Sequence, residues 1–160
     1  MIRLSKLADY GLVIMTHVGR KRAGTLHTAR GLALESGLPV PTVSKLLKLL
    51  LHNGFLTSQR GTKGGYILAR DAHEISVAEM IAALEGPIAL TDCSTEITGL
   101  CEIESGCPAK HNQRIINQVV RGALERLTLS DLVHPLRVTA IKTSNGNFVP
   151  SFTLTSGRTQ

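Results

Sequence analysis

The sequence predicts a mainly α-helical fold with a small β-hairpin, arranged as a winged helix-turn-helix domain followed by a long helix. Three observations support this prediction. Apolar residues recur at helical spacing in several separate segments. Two short strand patterns flank a glycine-rich tip directly after a pair of such segments. A long apolar stripe then follows a loop that holds all three cysteines of the chain. With 160 residues, the chain has the length of one domain with an appended element.

The first helix is predicted from about Ser5 to Gly19. Lys6 and Asp9 interrupt its apolar residues at helical spacing, and no small-residue cleavage site follows, so we interpret it as the first helix of a cytoplasmic protein and not as a targeting segment. No apolar run in the chain is long enough to span a membrane. The periodic apolar positions are Leu4, Leu7, Ala8, Gly11, Ile14, Met15 and Val18.

The next two helices follow a helix-turn-helix pattern. Thr28 opens the first, which Gly37 ends, and Pro41 stands at the first position of the second, which Asn53-Gly54 ends. The second helix has an apolar inner face and an outer face of small polar and basic side chains, which is typical of a recognition helix. Two ordinary surface helices would give a similar pattern. The inner face consists of Val43, Leu46, Leu47 and Leu50, and the outer face of Ser44, Lys45, Lys48 and His52.

A predicted hairpin at residues 55–70 favours the helix-turn-helix interpretation. FLTSQRGTKGGYILAR reads as two short strands around the tip RGTKGG, and a hairpin at this place is the wing of a winged-helix domain. The tip carries Arg60 and Lys63, and its glycines allow the backbone to approach a phosphate or a groove floor. The tip lacks the GK[ST] ending and the strand–loop–helix order of a nucleotide-binding loop.

The charge of the chain is unevenly placed. Residues 1–70 hold eleven Lys and Arg against Asp9 and Glu35, a local charge of +9, so the remainder carries −3 of the total +6. A basic first half predicts a polyanionic partner such as nucleic acid, and a solvated basic surface is the alternative.

Two helices complete the predicted fold. Ser76 and Glu79 form a capping box before a helix that ends at Gly86-Pro87, and a longer helix begins at Pro108. Because the chain has little left to pack on its apolar stripe, we expect a two-fold dimer through this helix, with packing against the first helix as the alternative. Thr128-x-x-Asp131 then starts a short helical turn. The stripe contains Ile115, Ile116, Val119, Val120, Ala123, Leu124 and Leu127.

These elements predict four parts of the chain. A winged helix-turn-helix domain spans residues 1–86, a cysteine-rich loop spans 87–111, and a dimerisation helix with a short following helix spans 112–136. Residues 137–160 are rich in Ser, Thr, Asn and Gly without a clear period, so we expect a mobile tail.

The cysteine loop predicts a metal centre. Cys93-x7-Cys101-x5-Cys107 places three thiols in one Gly/Pro-punctuated loop, and thiolates are the soft ligands that bind iron–sulfur units. An odd number of cysteines disfavours a secreted disulfide framework. Three thiols are one short of a full set, and His111, one helical turn after Cys107, is the local candidate for the fourth ligand. Glu102 and Glu104 are lesser candidates. Three cysteines with His111 also suit zinc.

Several motifs together resemble the IscR-type winged-helix regulators. These are the opening RLSKLADYGL, the wing Arg60-Gly-Thr-Lys-Gly-Gly-Tyr66, the helix start Val77-Ala-Glu-Met-Ile81 and the three-cysteine loop before a long helix, from residue 1 to about 136. The resemblance implies a homodimeric bacterial repressor that binds a double-stranded DNA operator and a [2Fe–2S] cluster. Its closest branch is that of the regulators of SUF-type cluster assembly, with the assembly machinery as a cluster donor.

The resemblance implies that Cys93, Cys101 and Cys107 bind the cluster and offers two fourth ligands. In the iron–sulfur cluster regulator, the fourth ligand is a histidine three residues after the last cysteine. That position is Lys110 here, and His111 follows it. The nitric-oxide-sensing branch instead uses an aspartate of the first helix, donated by the other subunit, and Asp9 matches that position.

The resemblance also implies residues that read DNA. The base-reading positions of the family fall on Pro41, Ser44 and Lys45, and its minor-groove arginine falls on Arg60. The pattern of the sequence itself adds further DNA contacts on the recognition helix, the wing tip and the first helix. These are Thr42, Lys48, Lys63, Arg3, Ser5 and Tyr10.

The sequence thus predicts a transcriptional repressor and not an enzyme. Cluster binding is expected to order residues 88–111 and so to set the spacing of the two recognition helices, which makes operator affinity follow cluster occupancy. The alternatives are a nitric-oxide- or redox-sensing repressor of the same fold and a zinc or thiol-switch DNA-binding protein. An iron–sulfur enzyme or electron carrier is disfavoured, because no acid–base constellation or nucleotide loop is evident.

Overall fold

A computed structural model of the chain describes residues 3–61, 64–95, 97 and 99–136, together with the backbone of residues 138–142 and 148–152. Within these residues, six α-helices, two 3-10 turns and two hairpins follow one another. None of the helices described is long and apolar enough to cross a membrane. The elements are α1 (Lys6–Gly19), α2 (Ala29–Ser36), α3 (Val40–His52), β1 (Leu56–Gln59), β2 (Gly65–Leu68), α4 (Val77–Glu85), α5 (Lys110–Glu125), α6 (Leu129–Leu132), β3 (Val138–Lys142) and β4 (Phe148–Phe152), with 3-10 turns at Ala72–Glu74 and Asp92–Ser94.

The ends of the helices follow the capping signals of the sequence. The Thr28 hydroxyl accepts a hydrogen bond from the Gly31 N–H at 3.0 Å, and Gly37 ends α2 in the left-handed conformation with φ 71°. Thr128 and Asp131 form a complete capping box at α6. Side-chain oxygens at these positions satisfy backbone N–H groups that the first turn leaves without helical partners.

The predicted capping box of α4 forms only by half. The Ser76 hydroxyl accepts from the Glu79 N–H at 3.1 Å, as expected. The Glu79 carboxylate turns instead to Arg70, whose Nη2 lies 2.6 Å from Oε1. The guanidinium donor carries a full positive charge toward the carboxylate, whereas the backbone N–H that the box would use carries only a partial one. Glu79 therefore connects α4 to the end of the hairpin.

The hairpin after α3 is a two-stranded sheet with one additional β-bridge. β1 and β2 are antiparallel, with Leu56 opposite Leu68. His27, before α2, exchanges two backbone hydrogen bonds of 2.8 Å with Tyr66 and so pairs with the outer side of β2. This close approach requires glycine at position 65, because a Cβ there would collide with the His27 carbonyl. The winged-helix interpretation is confirmed in its helices and its hairpin.

The core lies between α1, α3 and α4, and α2, the hairpin and α6 close it. The inner face predicted for α3 is fully buried, and Phe55, Met80 and Leu129 pack around it. Each aliphatic or aromatic side chain of this size stabilises the fold by about 1.5–3 kcal/mol when it leaves water. The residues of that inner face are Val43, Leu46, Leu47 and Leu50.

The apolar residues predicted for α5 face the core in one part of the stripe and the solvent in the other. Its C-terminal members, Leu124 and Leu127, pack against the core. Its N-terminal members point outward: Ile115 is 44% exposed and Val119 is 65% exposed. Among the residues of α5, all of which are described, Asn117 is the buried one. The helix packs against α4 and the turn at Asp92–Ser94, and it turns apolar side chains to the outside.

The chain after α6 contains a hairpin that the sequence pattern did not predict. The strands β3 and β4 pair antiparallel, with Val138 opposite Phe152. An isolated two-stranded hairpin is marginally stable in water. The mobility expected of residues 137–160 stays a prediction.

Candidate functional site

The outer face of α3 carries the candidate base-reading residues. Lys45 and Lys48 are exposed, as is Pro41 near the start of the helix, whereas Thr42 and Ser44 are half-buried. The fully buried inner face of the same helix fixes the direction in which these side chains point. The arrangement has the composition of a recognition helix, with small polar groups beside cations.

The wing is attached firmly to the helices behind it. Arg70, two residues after β2, lies over the Phe55 ring at 5.6 Å from its centroid and pairs with Glu79 of α4. The backbone pairing of His27 with Tyr66 ties the same hairpin to the α1–α2 connection. Arg60 is exposed just after β1, and Lys63 lies outside the described residues. The described part of the wing therefore holds Arg60 in a fixed relation to α3.

The candidate phosphate contacts of α1 lie at its N-terminal end. Arg3 is exposed, and Tyr10 is half-buried against the core. The Ser5 hydroxyl caps α1 by accepting from the Ala8 N–H at 3.2 Å, and the Ser5 N–H donates to the Glu85 carboxylate. Ser5 is thus engaged within the chain and joins the start of α1 to the end of α4.

The three cysteines are free thiols that the structure does not bring together as a metal set. Cys93 is buried, with its Sγ 3.3 Å from the Thr91 hydroxyl oxygen, whereas Cys101 and Cys107 are half-buried. Within the part of the chain that the structure describes, no three His, Cys, Asp or Glu side chains stand close enough to hold a metal ion. The chemistry of the donors suits a soft metal centre, and the loop would have to close to assemble it.

The candidate fourth ligands lie on two different helices. His111 is exposed in the first turn of α5, and Asp9 is exposed in the first turn of α1. Glu102 is exposed in the loop. Glu104 is already engaged: Lys110 Nζ lies 3.0 Å from its Oε1, and the Gly99 N–H donates to its Oε2 at 3.1 Å. The backbone hydrogen bond from Gly99, and then Lys110, hold the pKa of Glu104 below its ordinary value.

Sequence reasoning missed the two side chains that attach the cysteine loop to α5. The Asn117 amide bonds to the main chain at both Ile88 and Leu90, and Arg114 Nε donates to the Cys93 carbonyl at 3.0 Å. The one signal in the sequence is an asparagine in the middle of a helix, where stronger helix formers are usual.

The C-terminal end of α5 is attached to the winged domain through the main chain. The Val77 N–H donates to the Leu127 carbonyl, and the Leu129 N–H donates to the Ile75 carbonyl, each at 2.8 Å. One end of α5 is therefore fixed to α4, while residues nearer its other end hold the cysteine loop. This helix connects the two candidate sites.

Comparisons with known proteins find a matching family model and similar curated proteins. A family model described as "Rrf2: Iron-dependent Transcriptional regulator" matches residues 4–135. The HTH-type transcriptional regulator NsrR of Oceanobacillus iheyensis is 30% identical over 135 residues, which cover 82% of this chain and 90% of that protein. The HTH-type transcriptional regulator IscR of Escherichia coli is 29% identical over 134 residues, which cover 83% of this chain and 81% of that protein.

A solved structure is similar over most of the chain. The structure of CymR, described as the global cysteine regulator of B. subtilis, has a TM-score of 0.66 and 27% sequence identity. The likeness covers 83% of this chain and 97% of that one. The family match spans the winged domain, the cysteine loop, α5 and α6, and it ends before β3.

Proposed function

Because this chain belongs to the Rrf2 family of transcriptional regulators, we propose that it is an IscR-type repressor whose operator affinity is controlled by a [2Fe–2S] cluster at the cysteine loop. Family membership makes it a helix-turn-helix transcriptional regulator and not an enzyme. The observation that carries the finer proposal is the placement of all three cysteines in one loop that is bonded to α5, between the DNA-reading domain and an outward apolar helix face.

DNA binding is proposed to use the outer face of α3 and the wing. Pro41, Ser44 and Lys45 contact base edges, and Arg60 enters the minor groove. Further side chains contact phosphates, which position the protein without reading sequence. Their cationic members release counterions, so affinity falls as salt rises. The proposed phosphate contacts are Thr42, Lys48, Lys63, Arg3, Ser5 and Tyr10.

Dimer formation is proposed to use the exposed face of α5. Ile115, Ile116 and Val119 are large apolar side chains left open to solvent on one helix, and a second copy of the same helix would cover them. A two-fold dimer places two recognition helices for a palindromic operator.

Cluster binding is proposed to use Cys93, Cys101 and Cys107, with His111 of the same copy or Asp9 of a second copy as the fourth ligand. The three free thiols in one loop support this donor set. A bound iron–sulfur cluster supplies a centre that responds to oxidants and nitric oxide. The loop closes to bring its cysteines together, and because it is bonded to α5, its closure changes the angle between the two winged domains. We place this regulator in the cytoplasm, at operators of SUF-type cluster-assembly genes, with the assembly machinery as the cluster donor.

The competing function is a thiol or zinc switch in the same fold. The three free and separated thiols favour the thiol switch, since a disulfide needs two cysteines and not a four-ligand set, whereas zinc would need the same loop closure as the cluster.

Anaerobic purification of the full chain separates these functions. We expect a coloured protein with about two iron and two sulfide per chain, as the formula of one [2Fe–2S] cluster requires. Double-stranded DNA selected from a random pool by cluster-loaded protein should bind the loaded form more tightly than the cluster-free form. A colourless protein with one zinc, or equal affinity of both forms for every selected operator, would overturn the proposal.

The fourth ligand is tested with two variants of the same preparation. His111→Ala or Asp9→Asn should shift the visible absorption bands and lower cluster retention, and only one of the two should do so. His134→Ala is the matched control, because His134 is an exposed histidine outside the loop. Unchanged spectra in both variants would exclude both ligands.

A further inference from the structure

Two side chains of α5 hold the first part of the cysteine loop against this helix by hydrogen bonds. Asn117 is 7% exposed; its Oδ1 accepts from the Leu90 N–H at 3.0 Å, and its Nδ2 donates to the Ile88 carbonyl at 3.2 Å. One turn earlier on the helix, Arg114 Nε donates to the Cys93 carbonyl at 3.0 Å. The loop therefore starts along α5 and runs in the direction opposite to the helix.

Arg114 also reaches the middle of the loop. Its Nη2 lies 3.5 Å from Glu104 Oε1, the oxygen that Lys110 approaches at 3.0 Å. The chain before the first cysteine and the turn between the other two cysteines are thus held by one helix face. A change in the position of Cys93 must therefore act on these bonds or on the helix that carries them.

The opposite face of the same helix is the proposed dimer surface. At 3.6 residues per turn, Ile115 and Val119 each lie about 160° from Asn117 around the helix axis. The C-terminal end of α5 is fixed to the winged domain by the backbone bonds of Leu127 and Leu129. A packed helix moves as a rigid element, so a displacement of the loop on one face changes the contact on the other.

We propose that Asn117 and Arg114 are positioning residues that couple the state of the cysteine loop to the dimer helix. Neither side chain ligates a metal; Asn117 fixes the main chain at Ile88 and Leu90 to α5, and Arg114 fixes it at Cys93. With both in place, closure of the loop moves α5. Without them, the loop closes alone and the recognition helices keep their spacing. The inference rests on the proposed function for the identity of the bound group but not for the hydrogen bonds themselves.

The first test uses the cluster-free, reduced full chain. Alkylation by iodoacetamide is followed separately at each cysteine by mass spectrometry, in the wild type and in Asn117→Ala. Loss of two hydrogen bonds should speed Cys93 alkylation about 30-fold, if each has ordinary net strength. The alkylation rates of Cys101 and Cys107 should change little, because both thiols are already partly exposed and lie outside the segment 88–93 that is bonded to α5. Asn112→Ala, an exposed asparagine of the same helix, is the control and should alkylate like the wild type.

A selective change at Cys93 supports a local positioning role. Equal acceleration at all three cysteines would mean general destabilisation and would overturn the proposal, as would an unchanged Cys93 rate. Arg114→Ala is the second variant, because Arg114 is about half-exposed and its loss spares the core. Its control is Arg121→Ala, which removes only an ion pair with Glu125 on the helix surface.

The second test measures coupling. The ratio of operator affinity between cluster-loaded and cluster-free protein should fall toward one in Asn117→Ala and in Arg114→Ala, while iron content and the visible spectrum stay those of the wild type. Retention of the wild-type ratio in both variants would sink the coupling. If the wild-type protein binds the operator equally well with and without the cluster, the proposed function is wrong and so is the coupling to DNA. The Cys93 alkylation rate still decides whether Asn117 and Arg114 hold the loop.

Discussion

The exposed face of α5 gives a prediction whose size can be worked out from the structure. Val119→Ala removes two methyl groups, each worth about 0.8 kcal/mol when fully buried. Val119 is 65% exposed in one copy, so an interface could still bury about that share, which gives about 1 kcal/mol per copy. A two-fold dimer counts the change twice, and about 2 kcal/mol corresponds to a dimer dissociation constant raised about 30-fold.

Sedimentation equilibrium of the purified chain measures that constant. Leu34→Ala is the matched control, because Leu34 is 83% exposed on α2, away from the proposed interface. We expect Leu34→Ala to leave the dimer unchanged and Val119→Ala to weaken it, with Ile115→Ala adding to the effect. A dimer that tolerates both α5 substitutions, or one that Leu34→Ala weakens, would show that the chain associates through another surface.

Three further predictions concern the winged domain. Burial lowers the pKa of His27 from its ordinary 6.5, so below that pH the unfolded chain takes up a proton that the folded chain does not. The free energy of unfolding, measured by urea titration, should therefore fall as the pH drops below 6.5, and it should fall less steeply in His27→Gln. Parallel plots of unfolding free energy against pH for the two proteins would contradict the burial of His27. Lys48→Ala should weaken binding to specific and random DNA duplexes alike, as measured by fluorescence anisotropy. It should also reduce the magnitude of the slope of log affinity against log salt concentration by about one, and an unchanged slope would exclude a phosphate contact. Leu46→Ala should cost about 2–5 kcal/mol of stability in the same urea titrations, because the side chain is fully buried, and a loss below 1 kcal/mol would be inconsistent with this core.

The helix ends and helix faces that were predicted correctly depend on residues close to one another in the sequence. Thr28, Gly37 and Thr128 act on residues within one turn of themselves, and the buried face of α3 repeats at the period of the helix. Such signals need only a few neighbouring residues, so helix ends and facing directions could be predicted from the chain alone.

The features that escaped prediction depend on contacts between distant residues. The pairing of His27 with Tyr66 uses backbone atoms, which every residue carries, and so it leaves no pattern of side chains. Asn117 bonds to carbonyl and N–H groups nearly thirty residues earlier in the chain, again main-chain groups without sequence signal. Glu79 was assigned to a local capping box, yet a stronger partner, Arg70, was available nine residues away.

The positions of the candidate residues on the fold were easier to predict from the sequence than the conformation of the cysteine loop. Short spacings place three thiols in one loop, but a loop of that length has many conformations, and spacing alone does not select one. The outer face of α3, by contrast, follows from its buried inner face. The DNA-reading candidates other than Lys63 therefore lie on the elements expected of them, while the convergence of the cysteines on one centre stays a prediction.

The attachment of the wing has a consequence for how such a regulator can diversify. Arg70 joins the hairpin to α4, and His27 joins it to the connection before α2, so the surface proposed to read bases is held to the winged domain by contacts that do not involve the cysteine loop. Its outer side chains can be exchanged without touching any residue that holds the loop. On this proposal, DNA-binding specificity and the response to the signal can change independently during evolution. Grafting the outer face of α3 from a relative would change the operator that is bound and leave the signal response as it is.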